Sequence, residues 1–215
     1  MAANSKGNGG VDKRRLILDA GVRVFARRGF HHCRVSDVAD EAGVAYGLVY
    51  HYFRSKEDLG YAILDRVLER FEARTLTPIF GDDSGDPWSQ IETFLDEILA
   101  TQRARNCMGG CPMGNLATEL ADAHEGFRQR LADGFERWRQ CLAAALGRAR
   151  AQGTLAPDVD AEVVARFLVA GIEGAILLTK VQKDIGVMEH CVGELRRHLA
   201  PYHRSEGVVP AGAAR

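Results

Sequence analysis

Residues 33–59 read CRVSDVADEAGVAYGLVYHYFRSKEDL. Val38, Ala39 and Ala42 share one face at steps of one, three and four, the spacing of a short helix with one buried side. Ser36 is a good N-cap for it, with Asp37 and Asp40 favourable near its positive end. Gly43 terminates it, and Val44 to Tyr46 leave room only for a tight turn. A second short helix follows over residues 47–53. Val49, Tyr52 and Phe53 take its inward face, so Tyr46, Tyr50 and His51 are left outward. Tyr50 read instead as a core aromatic is the plain alternative. Ser55 then caps a further helix over residues 56–75, with Glu57 and Asp58 in its first turn.

Upstream, Ile17, Ala20, Gly21, Val24 and Phe25 form one apolar stripe of a helix that starts at Asp12 and ends at Gly29. Arg23, Arg27 and Arg28 lie off that stripe. Two short helices joined by a Gly-containing turn behind a packing helix make a helix-turn-helix, whose second helix can enter the major groove of DNA. The candidate contacts are Tyr46, Gly47, Tyr50 and His51 on that helix. Gly47 permits close approach, and Tyr46 can meet a base edge or a thymine methyl. Arg34, Ser36 and Lys56, at the starts of neighbouring helices, are placed for phosphates.

Charge supports this. The chain has 215 residues, with 28 Lys plus Arg and 29 Asp plus Glu, a formal net charge of −1. That balance argues against a nucleic-acid binder only as an average. Up to Lys56 there are ten basic and five acidic residues, a net +5, and the remainder stands at −6. The asymmetry fits a phosphate-facing head on a different body, or a chance clustering on a solvated face.

Beyond residue 76 the pattern stays helical. A break rich in Gly, Asp and Pro covers residues 77–87, and helices follow over 88–105, 115–123, 124–152, 159–182 and 185–199. The expected fold class is all-α. The expected organisation is a disordered N-terminus 1–11, a helix-turn-helix DNA-binding domain 12–56, a ligand-binding and dimerisation domain 57–200, and a flexible tail 201–215. No apolar run reaches the ~20 residues of a membrane span, and residues 1–10 lack a signal core. A cytoplasmic protein is expected, with no membrane partner.

The stretches 15–30, RLILDAGVRVFARRGF, and 35–59, VSDVADEAGVAYGLVYHYFRSKEDL, closely resemble the head of the TetR/AcrR family of bacterial transcriptional regulators. The shared features are the helix-end Gly29-Phe30, the Asp37-Val38-Ala39 run, the Ala42-Gly43-Val44 turn, the Tyr50-His51-Tyr52-Phe53 recognition helix and the Ser55-Lys56-Glu57 start. The family often has Thr or Ser where Cys33 and Arg34 stand; Arg34 offers a charge-assisted phosphate contact instead. Residues 110–122, GCPMGNLATELAD, look like one C-terminal subgroup of the family. The resemblance implies an all-helical homodimer, a palindromic double-stranded DNA operator, a small-molecule effector and repression as the usual mode.

In such a body, the candidate effector-binding residues are Phe94, Ile98, Cys111, Asn115, Phe127, Leu131, Phe135, Trp138 and Phe167, each of which also reads as plain core. They favour a lipophilic or aromatic effector. The segment 159–182 is apolar nearly all round and should be buried on most sides. Its candidate dimer residues are Phe167, Leu168, Gly171, Ile172, Gly174 and Ala175, with the small residues allowing close helix approach.

Five cysteines, an odd number, do not read as a disulfide framework. Cys107 and Cys111 stand as C-x3-C across a Gly-Gly turn. A zinc site lacks two further suitably spaced ligands. A thiol switch is open, because Cys111 lies near a helix start that lowers a thiol pKa, with Cys107 or Lys180 as accessory. Plain packing is open too. No phosphate loop, metal-ligand pair or based nucleophile appears, so neither an enzyme nor a cofactor is expected.

Overall fold

A computed structural model describes residues 8–204. The chain is all-helical, as expected, and among the described residues the only strand-like pairing is an isolated bridge between Leu155 and His203. The helices are α1 (Asn8–Arg28), α2 (Val35–Ala42), α3 (Tyr46–Tyr52), α4 (Lys56–Phe71), α5 (Thr77–Phe80), α6 (Pro87–Ala104), α7 (Pro112–Leu120), α8 (Glu125–Ala151), α9 (Ala161–Gln182) and α10 (Ile185–Leu199). A π-helical turn, Glu72–Leu76, joins α4 to α5. The break expected from residue 77 therefore starts only at Gly81. The expected disorder over 1–11 falls partly on residues 1–7, outside the described residues, while 8–11 already belong to α1. Helix α7 begins at Pro112, earlier than expected, because proline suits a first helical turn whose N–H groups lack intrahelical partners.

The chain packs as two compact units. The first comprises the residues through Glu72 and Cys111–Gly134, that is α1–α4, α7 and the beginning of α8. The α1 stripe is its spine: Ile17, Ala20, Val24 and Phe25 are all buried, and α1 lies on α2 and α4. At Gly60 of α4 an added Cβ would stand 2.7 Å from the Phe30 ring and 2.8 Å from that of Phe127. The glycine lets those rings press on the α4 backbone. Asp19 on α1 accepts a hydrogen bond from Arg66 Nε on α4 at 2.9 Å. Burial works to raise this carboxyl, but the Arg66 bond and the Arg70 charge outweigh it and hold it low.

The second unit comprises Ala73–Gly110 and the chain from Phe135 onward. Its core is aromatic. Phe94 lies 5.5 Å from Phe80 and 5.7 Å from Trp138, centroid to centroid. Helix α10 sits on α6 and α9, tied to α6 by Arg196 bridging Glu92 and Asp96. The expected flexible tail, 201–215, lies outside the described residues from 205 onward; the portion before it is fastened down. Ala156 N–H donates to Tyr202 C=O at 2.9 Å and Arg204 N–H to Thr154 C=O at 2.8 Å. The His203 ring stacks on Trp88 at 4.6 Å. No helix among the described residues is long and apolar enough to cross a membrane.

Candidate nucleic-acid interface

Helix α2 does not start as its sequence suggests. The N-cap is Arg34, and Ser36 lies inside the first turn, half-buried. Asp37 makes the cap: its Oδ2 accepts the Arg34 N–H at 2.7 Å. That backbone bond, with Arg28 beside it, holds the Asp37 carboxyl below the usual range. Ser36 is therefore corrected from a cap to an inner-turn residue; the acid three positions after the cap reaches back to accept the cap residue's own N–H, one half of a capping box. Gly43 closes α2 at φ +65°, a left-handed conformation costly for a residue with a Cβ.

Helix α3 follows at once. Val49 and Phe53 are buried and Tyr52 is half-buried, as the spacing requires. The opposite face is open. Tyr46 is 52% exposed and Tyr50 43%, and Gly47 and His51 are exposed beside them. Tyr46 and Tyr50 are one helical turn apart. The Tyr46 hydroxyl donates to the Tyr50 oxygen at 3.2 Å, with the rings edge to face at 5.1 Å. That hydrogen bond pushes the Tyr46 phenol up and leaves the Tyr50 hydroxyl hydrogen free to donate outward. A Cβ on Gly47 would meet nothing within 4 Å. The fold does not need that glycine, which costs helix stability.

The cations sort into two groups. Arg23 and Arg27 both reach Glu41 on α2, at 2.7 and 2.5 Å, and Arg28 reaches Asp37 at 2.7 Å. Arg23, then Arg27, hold the Glu41 carboxyl low. These arginines brace α1 against α2. Arg34 is exposed. Lys56 is half-buried: its Nζ donates to His31 C=O at 3.1 Å and lies 4.7 Å over the Phe30 ring. It is a structural cation with donors remaining for a phosphate. The bracing acids Asp37, Glu41 and Asp19 escape sequence reading, because their partners stand 9 to 47 positions away.

The candidate effector residues divide between the units. In the first, Phe127 and Leu131 are buried and Cys111 and Asn115 half-buried. In the second, Phe94, Ile98 and Trp138 are buried and Phe135 half-buried, its ring stacked on Trp138 at 6.3 Å. Phe167 belongs to neither interior. It is 47% exposed on α9 and packs on His198 at 4.6 Å.

Helix α9 has two different sides. Leu168, Ile172 and Ala175 are buried in the chain's own core, and a Cβ on Gly171 would stand 2.9 Å from Leu195 of α10. Those candidates for an outward face serve the subunit interior. The outward side carries Phe167, Leu177, Leu178 and Val181, with Gly174 open between them. Within one chain, α9 is therefore buried on one side rather than on most sides; a uniformly apolar helix has no phase by which to tell in from out.

All five cysteines are thiols. Cys107 is buried, and Cys111 is the N-cap of α7, its Sγ accepting the Gly114 N–H at 3.4 Å. Burial pushes the Cys33 thiol up to about 11.

The model for bacterial regulatory proteins of the tetR family matches residues 17–63, and the tetracyclin repressor-like C-terminal domain matches residues 87–195. The transcriptional regulator AcuR of Cereibacter sphaeroides is 30% identical over 166 residues, covering 77% of this chain and 75% of AcuR. The HTH-type transcriptional repressor DhaR of Mycobacterium sp. strain GP1 is 28% identical, covering 80% of this chain and 84% of DhaR. The crystal structure of the reduced form of Escherichia coli NemR superposes with a TM-score of 0.81 at 26% identity, over 92% of this chain and 100% of NemR. This chain belongs to the TetR family of bacterial transcriptional regulators.

Proposed function

We propose that the protein is a ligand-responsive repressor that binds a palindromic operator as a homodimer. The observation that carries this is the outward face of α3, where Tyr46, Gly47, Tyr50 and His51 stand exposed on a helix that packs on α2, itself braced against α1. The Tyr50 phenol and the His51 imidazole offer donors to base edges and phosphates, and the Tyr46 oxygen and ring edge lie beside them. The bare Gly47 backbone, unneeded by the fold, suits close approach to a duplex. The exposed apolar side of α9 supports a dimer, which a two-fold operator requires. The aromatic cluster of the second unit favours an apolar effector, which would release DNA by shifting the population of dimers. DhaR and NemR are themselves described as repressors. The test is anisotropy titration of a duplex selected by the wild-type protein from a random pool. Affinity should fall steeply with salt, as phosphate contacts require. Tyr50→Ala should weaken binding without unfolding the chain; unchanged affinity would remove Tyr50 from the interface.

A second reading, a repressor that senses oxidants or electrophiles, is favoured by one feature. Cys111 is half-buried and its sulfur caps α7, a position where a thiolate is stabilised by the helix dipole. Treatment with a maleimide should then release DNA from the wild type and not from Cys111→Ser. Release from both would remove Cys111 from the mechanism, with Cys107 and Lys180 as its accessories.

A further inference from the structure

We propose that Glu119 is a positioning residue for operator recognition. Its carboxylate, carried by α7, latches the turn that leads from α1 into α2 and α3. The proposal rests on the operator-binding reading above.

The turn needs such a partner. Gly29 ends α1 at φ +71°, and its own N–H still closes the helix onto Phe25 C=O at 2.9 Å. The next two N–H groups, of Phe30 and His31, point away from the helix. Both donate to Glu119: Phe30 to Oε2 at 2.9 Å and His31 to Oε1 at 2.6 Å. One carboxylate thus satisfies two backbone donors some 88 positions upstream, through charge-assisted bonds that are about twice as strong as neutral ones. The space for it is made by the chain itself. A Cβ on Gly29 would stand 2.5 Å from Glu119 Oε2, so the glycine serves the carboxylate as well as the left-handed turn.

The latched pair sits at a junction. The Phe30 ring packs on Phe25 at 5.8 Å and on Phe127 of α8 at 5.0 Å. The His31 carbonyl accepts Lys56 Nζ at the start of α4. Only three residues separate His31 from α2 at Val35. A shift of α7 that pulls the carboxylate away releases two N–H groups and lets the start of α2 move. A shift that seats it returns α2 and α3 to one arrangement. The latch therefore links the state of α7 to the fraction of molecules with a competent helix-turn-helix, and by reciprocity DNA must favour the seated latch.

The test uses the full-length protein and a duplex selected by the wild type from a random pool, with a scrambled duplex alongside. Glu119→Gln keeps the size and one acceptor oxygen but sets an amide N–H2 against the second donor. It should bind the selected duplex roughly 10- to 100-fold more weakly, the worth of hydrogen bonds to a charged group, while its affinity for the scrambled duplex stays within about twofold. Equal loss on both duplexes, or binding of the selected duplex within twofold of wild type, overturns the proposal. Amide exchange in the wild type reads the latch without any variant. The selected duplex should slow Phe30 and His31 roughly tenfold more than His32, the next residue outside the latch. Equal slowing of all three overturns it. A wild-type protein that selects no duplex overturns the operator-binding reading itself, and the latch with it.

Discussion

Helices α3 and α9 each present an outward face that their own chain leaves uncovered, and the two faces differ in chemistry. On α3 the exposed large residues are two tyrosines joined by a hydrogen bond, next to a histidine and a bare glycine. On α9 the exposed large apolar residues are Val163, Phe167, Leu177, Leu178 and Val181, the last 69% exposed. A surface of donors at the edge of aromatic rings suits a partner that is itself polar and edged with acceptors. An apolar face suits one that is equally apolar, and a second copy of the same face meets that need under two-fold symmetry. The inward sides are both closed by apolar packing, so the two proposed roles rest on the outward sides.

The largest effect is expected on α9. Phe167→Glu combined with Leu177→Glu places two charges in the proposed subunit contact. Sedimentation should show a monomer, and operator affinity should fall by roughly 10²–10⁴-fold as two linked half-site contacts become one. A dimer that persists would show that this face is not the contact. On α3, Tyr50→Ala removes a donor and a ring face, and should weaken operator binding by about 1–3 kcal/mol with the melting temperature unchanged. Gly47→Ala sharpens the contrast. The fold has room for the methyl, so the protein should gain up to about 0.5–1 kcal/mol of stability, while binding of the selected duplex weakens. A variant both more stable and equally tight would mean the bare backbone has no partner.

A smaller effect concerns the brace between α1 and α2. The carboxyls of Asp37 and Glu41 are both held low in the folded chain. A depressed folded pKa means stability that is present above the ordinary carboxyl range, near pH 4, and lost as pH falls through the folded values. Melting temperature should therefore drop on acidification below about pH 4. Asp37→Asn, which cannot titrate, should show a shallower drop. Smallest in scope, maleimide at neutral pH should leave Cys33 unmodified in the native protein, since burial pushes its thiol up to about 11. Mass mapping of the labelled cysteines checks this.

Much of the head is legible in one sequence because its signals are local. The α1 stripe, the Gly43 turn, the inward Val49 and Phe53 and the Ser55 cap all depend on residues within four positions of each other, and the structure places them so. What escaped is what depends on distance. Arg23, Arg27 and Arg28 show in the sequence only as residues off the α1 stripe, and their ion pairs with Glu41 and Asp37 depend on the fold. Lys56 looks like a loose cation until His31 and Phe30 appear. Glu119 carries no local pattern, since its two donors lie on the other side of α2, α3 and α4 in the chain. On α9 the difficulty is of another kind. Its apolar residues run all round, and periodicity can set a face only where polar residues mark the opposite one. Leu168, Ile172 and Ala175 thus read as dimer contacts, although they lie in the chain's own core.

The central claim is that α3 reads DNA and that two copies do so together. The most direct measurement is selection of duplexes from a random pool by the wild-type protein, followed by sequencing. The expected product is a two-fold symmetric sequence whose half-site centres lie about one helical turn, 10–10.5 base pairs, or a multiple of it, apart. Enrichment of an asymmetric sequence, or of none, would contradict it.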